Sequence, residues 1–88
     1  MTAKVCLVTG SGRRIGASII RKFAEEGYAV LIHVSRSVEA GELLKSELVE
    51  QGHKADVVRA DLSDENETEK LIQTITQHPF VVDREGLD

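Results

Sequence analysis

VCLVTGSGRRIG, running from Val5 to Gly16, is the stretch on which the fold turns. Val5, Cys6, Leu7 and Val8 follow one another without polar alternation, which reads as a buried strand of a parallel sheet. The run stops at Thr9-Gly10, passes through a Gly/Ser/Arg turn and opens a helix at Ile15-Gly16. A strand that ends in glycines and feeds a helix N-terminus can cradle a phosphate. Glycine lets the backbone approach the anion without a Cβ in the way. The first helical turn offers unpaired N–H groups at the positive end of its dipole. A tight strand–helix turn without a ligand would use the same residue types.

The rest of the chain alternates in kind. Ile15, Ile19, Ile20, Phe23 and Ala24 recur at helical spacing and predict a helix over 14–26, stopped by Gly27. Residues 28–34, YAVLIHV, are a second apolar strand. Ser37 is placed to cap a helix over 38–51, with Ala40, Leu43, Leu44, Leu48 and Val49 facing inward. A third strand is expected over 54–60, around Ala55, Val57 and Val58. Asp61-Leu62-Ser63 turns the chain. Ser63 is the expected cap of a third helix with Leu71, Ile72 and Ile75 as its apolar stripe, closed by Pro79. Phe80-Val81-Val82 has the composition of a short fourth strand, ahead of a polar tail from Asp83 to Asp88. Short connections between alternating strands and helices imply parallel strands and right-handed crossovers. The expected fold class is therefore α/β, one domain over residues 1–88. It is a Rossmann-like doubly wound parallel sheet in half-length, truncated form, with strand order 3-2-1 and any fourth strand beside the first.

Composition narrows the functions. The 88 residues are 41% hydrophobic and 30% charged, with a net charge of −4, as in a globular domain of modest core. The acidic balance, and aromatic residues amounting to 3%, argue against a nucleic-acid partner. Cys6 is the single cysteine and reads as a buried structural thiol. The apolar run after Lys4 is too short for a signal sequence or a membrane span, so a cytoplasmic setting and no membrane partner are expected. His33, His53 and His78 lie far apart without metal-ligand spacing, and no metal site is expected. His78 reads as a favourable cation or cap near a helix end. No Gly-Lys-Ser/Thr follows the glycines, which excludes the P-loop pattern.

Gly10-x-Gly12 begins like the dinucleotide fingerprint G-x-G-x-x-G, but position 15 is Ile15 and the last glycine comes one residue later, at Gly16. Thr9-Gly10 through Gly16 instead resembles T-G-x-x-x-G-x-G of the short-chain dehydrogenase/reductase family, with Arg14 in place of the middle glycine. Within that family, T-G-x-x-x-R-x-G is similar to the pteridine reductase branch. His33-Val34-Ser35-Arg36-Ser37 resembles that branch's H-x-x-R-S segment, and Asp61-Leu62-Ser63 corresponds to the family's adenine-contacting segment. The resemblance covers roughly residues 3–78 and implies binding of NADP(H). The candidate cofactor residues are Gly10, Ser11, Arg13, Arg14, Ile15, Gly16, His33, Arg36, Ser37, Asp61, Leu62 and Ser63. Local chemistry agrees. Folds that select NAD carry an acid about 20 residues past the glycines, whereas a basic group accommodates the 2′-phosphate of NADP. Here that corner holds His33, Ser35, Arg36 and Ser37, with no acid before Glu39. A guanidinium can grip the phosphate with two parallel charge-assisted hydrogen bonds, and Ser37 adds a hydroxyl and a helix-start N–H. Plainer roles stay open. Arg13, Arg14 and Arg36 could be solvated loop charges, His33 a satisfied structural histidine, and Asp61 a turn residue.

The family's catalytic half has no counterpart here. Its Tyr-x-x-x-Lys would need a lysine four residues after a tyrosine, but Tyr28 is the single tyrosine and position 32 is Ile32. No N-N-A-G follows Val82, and the departure from the family begins near Pro79. The resemblance thus implies the coenzyme-binding portion of a reductase that acts on pterin- or folate-type substrates, without catalysis alone and with no catalytic residue assigned. The alternative is a non-enzymatic product or regulatory subunit that forms a homo-oligomer, or joins a complementing chain, through its uncovered sheet.

Overall fold

The structure, a computed structural model, describes residues 4–10 and 14–81. Its elements are β1 (Val5–Val8), α1 (Arg14–Glu25), β2 (Ala29–Val34), α2 (Val38–Glu50), β3 (Ala55–Arg59) and α3 (Glu65–Thr76). The strands form one parallel sheet in the order β1-β2-β3. Val8 pairs with Ile32, and Val34 with Arg59, so all three strands end on the same side of the sheet. This is the expected α/β architecture and strand order.

Alternation along the strands sorts the core into two faces. Cys6, Val8, Val30, Ile32, Val34, Ala55 and Val57 meet Ala17, Ile20 and Ala24 of α1 and Leu44 and Leu48 of α2. Leu7, Val58 and Ala60 point the other way and meet Leu71 and Ile75 of α3. The helices therefore cover both faces, as double winding requires. Ile20, Leu31, Ile32, Leu48 and Val30 are the largest fully buried side chains. Each is worth roughly 1.5–3 kcal/mol of transfer free energy. β2 is buried throughout because it has a neighbour on each side, whereas β1 is half-buried throughout. The expectation of a buried first strand is corrected accordingly. Among the described residues, β1 pairs only with β2. Cys6 is half-buried rather than buried, and burial pushes its thiol up.

The helix faces are narrower than the apolar pattern suggests. On α1, Ala17, Ile20 and Ala24 are buried, while Ile15 and Ile19 are exposed. On α2 the stripe is Gly41, Leu44 and Leu48, and Leu43 and Val49 face solvent. Gly41 belongs to the stripe because α2 presses on the sheet there. A Cβ at Gly41 would lie 2.8 Å from Cγ1 of Val34 and 3.3 Å from Cγ1 of Val57. On α3, Leu71 is buried and Ile75 half-buried, but Ile72 is exposed. Its cap is Asp64, not Ser63: the Asp64 carboxylate accepts from the N–H groups of Asn66 at 2.8 Å and Glu67 at 3.3 Å.

The C-terminal expectations change most. Phe80 and Val81 lie in a turn, not a fourth strand, and Val82 is outside the described residues. His78 lies just past the end of α3, as expected, with its N–H donating to the Ile75 carbonyl at 3.1 Å, but its side chain is buried. Its Nδ1 accepts from the Phe80 N–H at 3.0 Å, so its Nε2–H donates to Asp56 at 2.6 Å. This bond ties the chain leaving α3 to β3.

Candidate functional site

The sheet's C-terminal edge brings together residues spread from Gly10 to Ser63 in sequence. After Val8 the chain enters the glycine turn, where Gly10 has φ +64°. Glycine adopts this left-handed backbone without a steric penalty. Ser11 and Arg13 lie outside the described residues. Arg14 heads α1 with φ +54°, the left-handed backbone that disfavours side chains. It stands where the family motif has glycine, and the backbone explains that preference. Arg14 and Ile15 are exposed and Gly16 is half-buried.

His33 sits beneath this turn, 3% exposed. The Gly10 N–H donates to its Nδ1 at 2.9 Å. The ring proton is therefore on Nε2, which donates to the Ala60 carbonyl at 2.9 Å. One imidazole joins the end of β1, the middle sheet strand and the segment leaving β3. Ala60 N–H also donates to the Val34 carbonyl at 3.1 Å, which continues the sheet one step past Arg59.

Beyond Val34 the chain reaches Arg36 and Ser37. Arg36 is exposed and Ser37 half-buried. Ser37 occupies the N-cap position of α2, but its hydroxyl makes no capping hydrogen bond. Its carbonyl accepts from the Gly41 N–H at 3.2 Å. An open pocket of about 330 Å³ is lined here by Arg36, Ser37, Val38, Glu39 and Ala40. The positive dipole end of α2 lies at this pocket, whose lining includes Val38, Glu39 and Ala40 of its first turn. Pocket, guanidinium and hydroxyl together can hold an anion.

The third strand delivers Asp61, Leu62 and Ser63. Asp61 folds its own turn: its Oδ1 accepts from the Ser63 hydroxyl at 2.6 Å and the Ser63 N–H at 3.0 Å. Those two bonds, with the positive charges of Arg36 and Arg59, hold its carboxyl below the ordinary value against a small opposing effect of burial. Arg36 thus lies within electrostatic reach of Asp61. The Asp61 N–H donates to Glu67 at 2.8 Å, so the head of α3 fixes the segment from behind. Leu62 and Ser63 are exposed. Sequence analysis missed Arg59, Glu67 and the carbonyl of Ala60. Glu67 had a signal, since it stands three residues after Asp64 in a capping-box spacing. A carbonyl has none.

The chain and its fold are similar to known proteins. Residues 4–84 match the family model described as short chain dehydrogenase. The chain is 41% identical over 76 residues to a putative ketoacyl reductase 2 of the granaticin polyketide synthase from Streptomyces violaceoruber, covering 86% of this chain and 29% of that protein. It superposes on FolM alternative dihydrofolate reductase 1 from Brucella suis, solved in complex with NADP, with a TM-score of 0.75 and 36% identity over 84% of this chain and 29% of that one. A metagenomic short-chain oxidoreductase in complex with NADP gives a TM-score of 0.80 and 31% identity over 85% of this chain and 34% of that one. The chain spans less than a third of the length of the curated relatives it matches. A family match over nearly the whole chain, with the wound sheet shared by the solved structures, places this protein in the short-chain dehydrogenase family.

Proposed function

We propose that the chain forms the adenosine-phosphate part of an NADP(H) site in a cytoplasmic short-chain reductase. The observation that carries this is the pocket at the head of α2, where Arg36 and the uncapped Ser37 hydroxyl stand together. The Arg36 carbonyl accepts from the Val38 N–H at 2.9 Å, while its guanidinium, within electrostatic reach of Asp61, lines the pocket and can turn to a 2′-phosphate. The glycine turn, with Gly10, Ser11, Arg13, Arg14, Ile15 and Gly16, would receive the pyrophosphate, and Asp61, Leu62 and Ser63 the adenine side. His33 supports both from below. The bound coenzyme supplies hydride chemistry, and the chain's own residues bind and orient its adenosine end.

The substrate class of the whole reductase is pterin- or folate-like. The Arg14-containing turn and the His33–Ser37 segment support it, as does the likeness to an alternative dihydrofolate reductase. The chain alone has no proton donor in the Tyr-x-x-x-Lys pattern, and it binds coenzyme without reducing substrate. Fluorescence titration tests the assignment: NADPH should bind more tightly than NADH, and Arg36→Ala should erase the difference. Equal affinities in the parent chain would overturn it.

The half-buried β1 favours a second property. An apolar edge strand without a described neighbour on its far side accepts another strand. The chain then associates with a complementing chain or with a copy of itself. Light scattering at high concentration should show a mass above that of the monomer, and a monomer at every concentration would exclude self-association.

A further inference from the structure

We infer that His33 is the positioning residue of the coenzyme site: it sets the spacing between the glycine turn and the Asp61 segment, and need not touch the ligand. This rests on the reading of those two segments as the walls of the NADP(H) site. Three observations point the same way. The ring is buried at 3% exposure inside a strand buried along its whole length. Its two nitrogens bond the main chain on opposite sides, Gly10 N–H to Nδ1 and Nε2–H to the Ala60 carbonyl, each at 2.9 Å. The residues it holds are the last fixed points before each wall, since Gly10 opens the turn and Ala60 precedes Asp61.

The chemistry of the residue suits this task. Neutral imidazole offers one acceptor and one donor at opposite edges of a rigid plane, so it works as a strut of fixed length. The Gly10 backbone is left-handed at φ +64°, and the bond to His33 holds its N–H in that conformation. Loss of the acceptor would leave a backbone N–H at the turn without its partner, and the turn would relax to recover one. Loss of the donor would free the Ala60 carbonyl and, one residue on, the carboxylate turn of Asp61. A single side chain would thereby loosen both walls although it lies outside them. Other side chains at this strand end cannot substitute: Arg36 and Ser37 come after the strand and are at least partly exposed.

Two measurements test this independently. In the ligand-free chain, NMR should detect a scalar coupling between the Gly10 amide nitrogen and His33 Nδ1, which arises only across a hydrogen bond. His33→Leu should shift the amide signals of both Gly10 and Asp61. Absence of the coupling overturns the inference whether or not coenzyme binds. In parallel, 2′,5′-ADP and NADPH are titrated against the parent chain, His33→Leu and His33→Gln, at a temperature where circular dichroism shows each folded. His33→Leu should weaken both ligands about tenfold, the effect of one buried donor left unpaired. His33→Gln, whose amide also offers one acceptor and one donor, should recover most of that loss. A merely structural histidine would give folded variants with parent affinity, and that result also overturns the inference. If the parent chain binds neither ligand while the coupling and the paired shifts are present, the coenzyme assignment fails and the strut stands.

Discussion

Arg14 carries two opposed properties in one residue. Its left-handed backbone, φ +54°, costs a non-glycine residue on the order of 1 kcal/mol, while its charge sits at the C-terminal end of the strands, where the proposed coenzyme site lies. Arg14→Gly should therefore raise stability by up to about 0.5 kcal/mol in urea unfolding, once the larger entropy of the unfolded glycine is counted. The same variant should bind NADPH less well. A lower unfolding midpoint would show that the backbone there is unstrained. Much of this was legible in the sequence, because the motif marks position 14 as a glycine position. His33 was half legible. A histidine in an apolar run must satisfy both nitrogens, but its two main-chain partners lie 23 and 27 residues away. Spacing along the chain does not disclose them.

Elements show where apolar periodicity misleads. Leu43 and Leu44 are adjacent on a helix, about 100° apart, so a narrow contact accepts one of them. Gly41 decides which, since the helix settles where it lacks a Cβ. Gly41→Ala should improve helix propensity by about 1 kcal/mol, yet the added methyl meets the branched, buried Val34 at 2.8 Å. We expect a net loss of about 1 kcal/mol in denaturant unfolding; a gain would mean that α2 shifts outward freely. At the head of α3, Asp64→Ala should cost about 1 kcal/mol, because it removes the carboxylate that holds the N–H groups of Asn66 and Glu67. Ser63→Ala should cost less, as its hydroxyl serves the Asp61 turn instead. Ser63 and Asp64 are both good capping types, and sequence alone did not choose between them.

For the whole molecule, carboxylates set the response to acid. Burial raises the Asp56 carboxyl, but hydrogen bonds from His78, the Val57 N–H and Lys45 outweigh it and hold the group below its ordinary 3.8. Glu47 is held below 4.5 by its hydrogen bonds to Arg21, which link α1 and α2. Groups lowered on folding stabilise the protein above their unfolded values, and that contribution is lost as pH falls through the folded values. Thermal midpoints should thus hold steady above about pH 5 and drop below about pH 4, as the lowered carboxylates protonate. Asp56→Asn should flatten part of that drop and release the turn at 78–81. An identical acid profile in Asp56→Asn would show that the His78 bond contributes nothing to it.

The succession of an unalternated apolar run, a glycine turn and helical spacing was enough to determine a parallel wound sheet. These are local patterns, and each follows from the period of its own element. The basic corner at Arg36 and Ser37 was legible for the same reason, since strand ends are where such sheets expose their chemistry. Tertiary structure alone decided which helix faces are buried, that β1 is a half-covered edge, that Phe80 and Val81 form a turn, and that His33 and His78 brace the main chain. Those outcomes depend on close approach and on hydrogen-bond partners distant in sequence. A residue's type and its neighbours along the chain carry no record of either.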